Sequence, residues 1–162
     1  MKQDADTVIK FQKMNNNKFM KVALKEAQKA FDTDEIPVGA VLFETNTGKI
    51  IATAHNQTDR TNDISAHAEI LALREGGQIL KTNHFSGYSL FTTLEPCPMC
   101  AGALAWSKID RIYFGAYDPK SGGIEHGARV LNHTHHKPDI YGGLEEEKCA
   151  LVMKKFFERK RK

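Results

Sequence analysis

The stretch "TLEPCPMCAGAL" (Thr93 to Leu104) constrains the chain more than any other. It holds two of the three cysteines, three residues apart, with Pro96 and Pro98 on either side of the first. Pro98 suits the first position of a helix, which leaves Cys97 as the cap and puts Cys100 within the first turn. Thiolates are favoured at such a terminus, where free N–H groups point outward and the helix dipole is positive. A lone C-x-x-C admits a redox dithiol, half of a zinc ribbon, or part of another metal site. A ribbon needs a second C-x-x-C, and only Cys149 remains. A thioredoxin-like dithiol opens a helix after the first strand, whereas a hairpin and two helices are already expected before this pair. A metal site needs further soft ligands, His or Cys for zinc.

Hydrophobic spacing sets the rest of the order. Apolar residues recur at helical intervals from Lys18 to Phe31, after a polar lead-in "MNNNKFM". "PVGAVLFE" and "KIIATA" predict a hairpin across the turn "TNTG". "SAHAEILALREGG" predicts a helix capped by Ser65 and stopped by Gly76 and Gly77. Tyr88 to Thr93 and "DRIYFGA" predict strands, and Cys97 to Ser107 a helix apolar nearly all round and so buried. Residues 118–143 are rich in Gly, His and Pro and predict mostly loop; Leu144 to Lys160 predicts a closing helix. Helices alternating with strands after a hairpin imply an α/β layer fold. At 162 residues the whole chain, 1–162, is expected to form one domain with a basic C-terminal helix.

The third metal ligand is expected upstream, at His67 in "SAHAEIL". With Ser65 as cap, His67 stands in the first turn of its helix. If the two helices pack side by side on one sheet face, His67, Cys97 and Cys100 converge near their ends. Three protein ligands leave a fourth corner for water, which is the catalytic rather than the structural arrangement. Such a site needs a base that is not a ligand. Glu69 is about 200° round the helix from His67, but near a helix end both reach a centre lying off the terminus.

"HAE" followed by "PCPMC" resembles the zinc-dependent nucleobase and nucleoside deaminases. The resemblance implies one Zn2+ per subunit on His67, Cys97 and Cys100, Glu69 as acid and base, and the N–H groups of Ala68 and Cys97 beside the bound base. It also implies a three-layer cytidine deaminase-like fold, with a mixed sheet of about five strands flanked by helices. "EIPVGAVL", "AHN", "AHAEILAL", "DRIYFGAYDPKSG" and "FFERKRK" are similar to the bacterial tRNA adenosine deaminases from about Phe19 to Arg161. That similarity implies conversion of adenosine to inosine at the wobble position of a tRNA anticodon stem-loop, a homodimer, and Asn56 on the purine edge. Without it, Asn56 reads as a turn residue satisfying its own backbone. The chain departs from the family pattern after "DPKSG", where "GIEHGARV" replaces small residues and a serine, and again at "HTHHKPDIYGG".

The basic ends suit a polyanion such as nucleic acid, and on charge alone they read more readily as solvated tails that aid solubility. Seven lysines face three acids between Met1 and Phe31, and "MKKFFERKRK" carries six basic residues against Glu158. Three cysteines argue against a disulfide framework and, with no secretory or membrane-spanning segment expected, for a cytoplasmic protein with reduced thiols. Two other functions remain open: a free-base deaminase acting on guanine or cytosine, and a structural zinc module that binds RNA without catalysis. His126, His133, His135 and His136 are expected to be solvated loop residues, Cys149 an inert buried thiol, Trp106 core, and Glu95 a support for the cysteine loop. Phe156 and Phe157 are expected in the core or a dimer interface, and the resemblance implies that one of them could line the flipped base.

Overall fold

The computed structural model describes residues 5–162, with side chains from Asn15 onward. Lys2 lies outside the described residues, and the side chains of Lys10 and Lys13 lie outside those described. Helix α1 (Ala5–Asp32) leads into strands β1 (Gly39–Glu44) and β2 (Ile50–His55), then a short helix α2 (Thr58–Thr61) and α3 (Ala68–Leu80). Strand β3 (Tyr88–Leu94), helix α4 (Pro98–Trp106), strand β4 (Arg111–Ala116), strand β5 (Asp139–Tyr141) and helix α5 (Glu146–Lys160) follow. The sheet order is β2-β1-β3-β4-β5. β1 pairs antiparallel with β2 and β3, and β3–β4 and β4–β5 are parallel, so the sheet is mixed, as expected.

Three layers follow from strict alternation in the inner strands. Ala40 and Leu42, Leu90, and Ile112 and Phe114 face one way, against Ala68, Ala72, Ala101 and Leu104 of α3 and α4. Val41 and Phe43, Phe91, and Tyr113 face the other way, against Phe19, Met20 and Ala23 of α1 and Cys149 of α5. Both faces are covered, which is why β1 and β4 read as near-continuous apolar runs and why even Ser89, Thr92 and Thr93 of β3 are buried. Phe19 stacks on Phe43 at 3.9 Å between centroids, and Phe91 on Tyr113 at 4.9 Å. At Gly39 a side chain would overlap the Ala23 carbonyl oxygen, so glycine lets α1 lie directly on β1.

Several expectations change. α1 begins at Ala5 and runs through the asparagines of "MNNNKFM" without a break. α3 continues through Gly76 and Gly77 to Leu80, capped by Lys81 in the left-handed conformation. Gly76 is a packing residue there, because a Cβ would strike Leu42. Ser65 caps nothing: its hydroxyl donates to Asp63 Oδ1 at 2.6 Å, and His67 itself is the N-cap. Trp106 is 74% exposed rather than core. It is the last residue of α4, on the side turned from the sheet, and a helix apolar all round does not specify its buried side. Within 118–143 the expected loop contains β5 and a short 3-10 turn, Val130–His133.

Candidate active site

Helices α3 and α4 point their N-termini at one place, and the residue before each carries a soft ligand. His67 (φ −71°, ψ 153°) and Cys97 (φ −67°, ψ 171°) share the same extended N-cap backbone. Pro98 then opens α4 as expected, and Cys100 comes one turn in, fully buried. His67 Nδ1 lies 3.6 Å from Cys97 Sγ and 3.5 Å from Cys100 Sγ, with all three atoms within 4.8 Å of one another. Bonds of about 2.05 and 2.3 Å meeting at a tetrahedral angle give an N···S edge of about 3.6 Å, so the donor set fits one zinc ion. Among the described residues no other group of three His, Cys, Asp or Glu side chains comes together in this way.

The electrostatics suit a cation. The Cys97 thiol is pulled down to about 4, chiefly by the hydrogen bond from Cys100, with the His67 imidazole adding to it. Cys100 is pushed far up by the same hydrogen bond and by burial. Metal binding here must displace its proton, so ligation and proton release are coupled. Glu69 is buried, with Oε2 3.5 Å from Cys100 Sγ, and burial raises its carboxyl above the ordinary range.

His67, Cys97 and Glu69 form the floor of a cavity of about 800 Å³, large enough for a nucleobase and part of its ribose. Asn56, just past the end of β2, is 6% exposed and lines the wall. Its N–H donates to the Val38 carbonyl, while its Oδ1 has no protein partner. Ala68 lines the wall too, and as the first residue of α3 its N–H has no intrahelical acceptor. The structure therefore brings five of the six sequence-predicted site residues to the wall of one cavity, and the sixth, Cys100, is buried beside them with its Sγ 3.5 Å from His67 Nδ1.

Glu35, behind the cavity wall, and Ile64, on it, carried no sequence signal. Glu35 is buried and accepts the N–H groups of Asp59 (3.2 Å) and Arg60 (2.6 Å), which holds the loop between Asn56 and His67. Ile64, isolated among polar residues in "TNDISAH", is 83% exposed at the rim. Lys120, Lys160 and Arg161 come to the same mouth from two distant segments. Phe156 is buried, whereas Phe157 lines the cavity and is partly exposed. Cys149 is buried, and burial pushes its thiol up to about 12. His133 and His135 are exposed as expected, but His136 Nε2 meets the Ile109 carbonyl at 2.6 Å and His126 pairs with Glu95.

Residues 13–116 match the model of the cytidine and deoxycytidylate deaminase zinc-binding region. The chain is 44% identical over 145 residues to a tRNA-specific adenosine deaminase of Agrobacterium fabrum, covering 88% of this chain and 94% of that protein. It is 42% identical over 142 residues to a tRNA-specific adenosine deaminase of Rickettsia bellii, covering 86% and 98%. A solved structure from a study of A-to-I editing by tRNA:A34 deaminases at the wobble position of transfer RNA superposes with a TM-score of 0.81 at 43% identity. The superposition covers 84% of this chain and 99% of that one.

Proposed function

The chain belongs to the cytidine and deoxycytidylate deaminase zinc-binding family, and within it we propose that the protein deaminates adenosine to inosine at the wobble position of a tRNA anticodon. One observation carries this above all: a buried carboxylate beside a three-ligand soft site, on the floor of a cavity whose mouth is basic. Water and adenosine become inosine and ammonia.

His67, Cys97 and Cys100 would hold the zinc ion, one per subunit. When bound, it supplies a water acidic enough to attack at neutral pH. Glu69 moves the protons. Its Oε2 takes one from the attacking water, delivers it to the purine ring nitrogen, and passes a proton to the departing amine. A carboxyl raised by burial is suited to both accepting and returning a proton. Asn56 Oδ1 accepts a hydrogen bond from the purine edge, which gives this buried oxygen the partner the protein lacks. The Ala68 N–H, at the positive end of α3, faces the same base.

A base must leave its stack to reach this floor, and an unpaired anticodon loop makes that inexpensive. Lys120, Lys160 and Arg161 at the mouth meet phosphates, a need that a free base does not create. Residues 1–162 form, on this proposal, one deaminase domain with a basic C-terminal helix, working in the cytoplasm where tRNA is used. Met99, Ala103 and Trp106 lie along one exposed side of α4 at helical spacing, and a second copy of the chain covers them in a homodimer. Among the described residues, no helix is long and apolar enough to cross a membrane.

The deciding experiment offers the zinc-loaded protein an anticodon stem-loop, free guanine and free cytosine side by side. Inosine is expected in the RNA. Ammonia from the free bases alone overturns the proposal in favour of a free-base deaminase, and no turnover on any of them leaves a structural zinc module.

A further inference from the structure

His126 lies in the segment that follows β4, and the structure gives it a partner. Glu95, two residues before Cys97, has a fully buried side chain. Its Oε1 accepts the N–H groups of Glu125 and His126, both at 2.9 Å. Its Oε2 accepts the Asp118 N–H at 3.0 Å and the His126 ring Nδ1–H at 2.9 Å. A carboxylate offers about four lone-pair positions, so this one is saturated. All four donors come from the segment 118–126. The Gly123 N–H adds a bond to the Pro96 carbonyl at 2.8 Å, and a Cβ at Gly123 would strike Cys97 and Pro98. The segment thus lies flush on the cysteine loop, and it carries Lys120 and Ser121 at the cavity mouth. Only one of the four donors is a side chain, and its ring also packs edge-on against Tyr117 of the cavity wall at 5.5 Å.

We propose that His126 is a positioning residue for RNA binding: by making the last bond to Glu95, it holds the 118–126 segment down and sets Lys120 against a substrate phosphate. Nδ1–H donates whether the ring is neutral or protonated, so the clamp needs no particular charge on His126. The proposal rests on the tRNA function above, which supplies the phosphate.

The test compares His126→Ala and His126→Asn in the zinc-loaded full chain. The asparagine amide nitrogen falls near the position of ring Nδ1 and keeps the bond. His126 is partly exposed, so truncation leaves the core intact. In the alanine variant the KM for an anticodon stem-loop and the Kd for the same RNA are expected to rise about tenfold, the size of one missing charge-assisted hydrogen bond. The kcat and the zinc content per subunit stay at wild-type values, and hydrogen exchange at the Asp118, Lys120 and Glu125 amides quickens. His126→Asn restores all three. Unchanged KM and Kd in the alanine variant, a loss that falls on kcat or zinc instead, or an asparagine variant no better than alanine each overturns the proposal. A wild-type chain that binds RNA but makes no inosine sinks the adenosine function alone, and Kd with exchange still decides the role of His126.

Discussion

His67 and Cys97 occupy the same position on two different helices. Each is the last extended residue before a first helical turn, and Nδ1 and Sγ stand 3.6 Å apart where the two N-termini meet. Two dipole ends directed at one point favour the thiolate there. That juxtaposition is what the chemistry needs, and it sets what should happen when the site is altered.

Cys97→Ala and Cys100→Ala each remove a ligand from a set that has no protein substitute among the described residues. Zinc and activity are expected to disappear together. Metal analysis of the purified variants checks this, and a variant with a full zinc complement would remove that cysteine from the ligand set.

Glu69→Gln keeps the side chain's size and its place beside Cys100 but cannot carry a proton. It should retain zinc and RNA affinity while kcat falls by roughly 10²–10⁴, the usual worth of a positioned acid–base group. Single-turnover inosine formation measures it, and wild-type turnover would exclude Glu69 as the proton carrier.

Glu26 sits under β2, accepting from Lys29 Nζ at 2.6 Å, His55 Nδ1 at 3.0 Å and Thr53 Oγ1 at 3.2 Å. Burial pushes its carboxyl up, and these bonds together outweigh burial, so its pKa lies below the ordinary value. The linked stability is therefore complete above the unfolded value of about 4.3 and is lost as pH falls through the lower folded one. Melting temperature should drop on acidification below about pH 4, and Glu26→Gln, already less stable at pH 7, should drop less. Parallel curves for the two proteins would assign the acid sensitivity elsewhere.

Arg159 and Lys160 both pair with Asp34 at the end of α1, and the Arg159 guanidinium lies 4.1 Å from the Phe31 ring centroid. The C-terminal charges thus also fasten α5. Ending the chain after Phe157 should weaken RNA binding and flatten its salt dependence, by about 0.7 in the log–log slope for each phosphate that is no longer neutralised. An unchanged slope across a salt titration would show that the tail touches no phosphate.

Trp106→Glu places a charge on the exposed side of α4 without entering the core. If the proposed dimer forms through α4, light scattering should show a dimer for the wild-type chain and a monomer for the variant. Equal masses for the two would move the interface off α4.

Much of this was legible in residue order. The near-continuous apolar runs of β1 and β4 state that both sheet faces are covered, because successive side chains of a strand point to opposite faces. "HAE" and "PCPMC" point to a soft three-residue cluster with a carboxylate beside it, because zinc chemistry restricts residue type and helix caps restrict placement, and the structure brings these side chains together. Other features were decided only by packing. Gly76 and Gly77 read as a helix stop, yet Leu42 needs the space above Gly76 and the helix runs on. Trp106 read as core, yet the sheet covers only the Cys100–Ala101–Leu104–Ala105 side of α4. Lys120, Lys160 and Arg161 meet at one mouth because β4 and α5 end beside it, and nothing local records that. Residue order determines period, cap and ligand chemistry, which act over a few residues. The tertiary structure decides which side of each element is left to solvent and which remote charges become neighbours, because those depend on what packs against what.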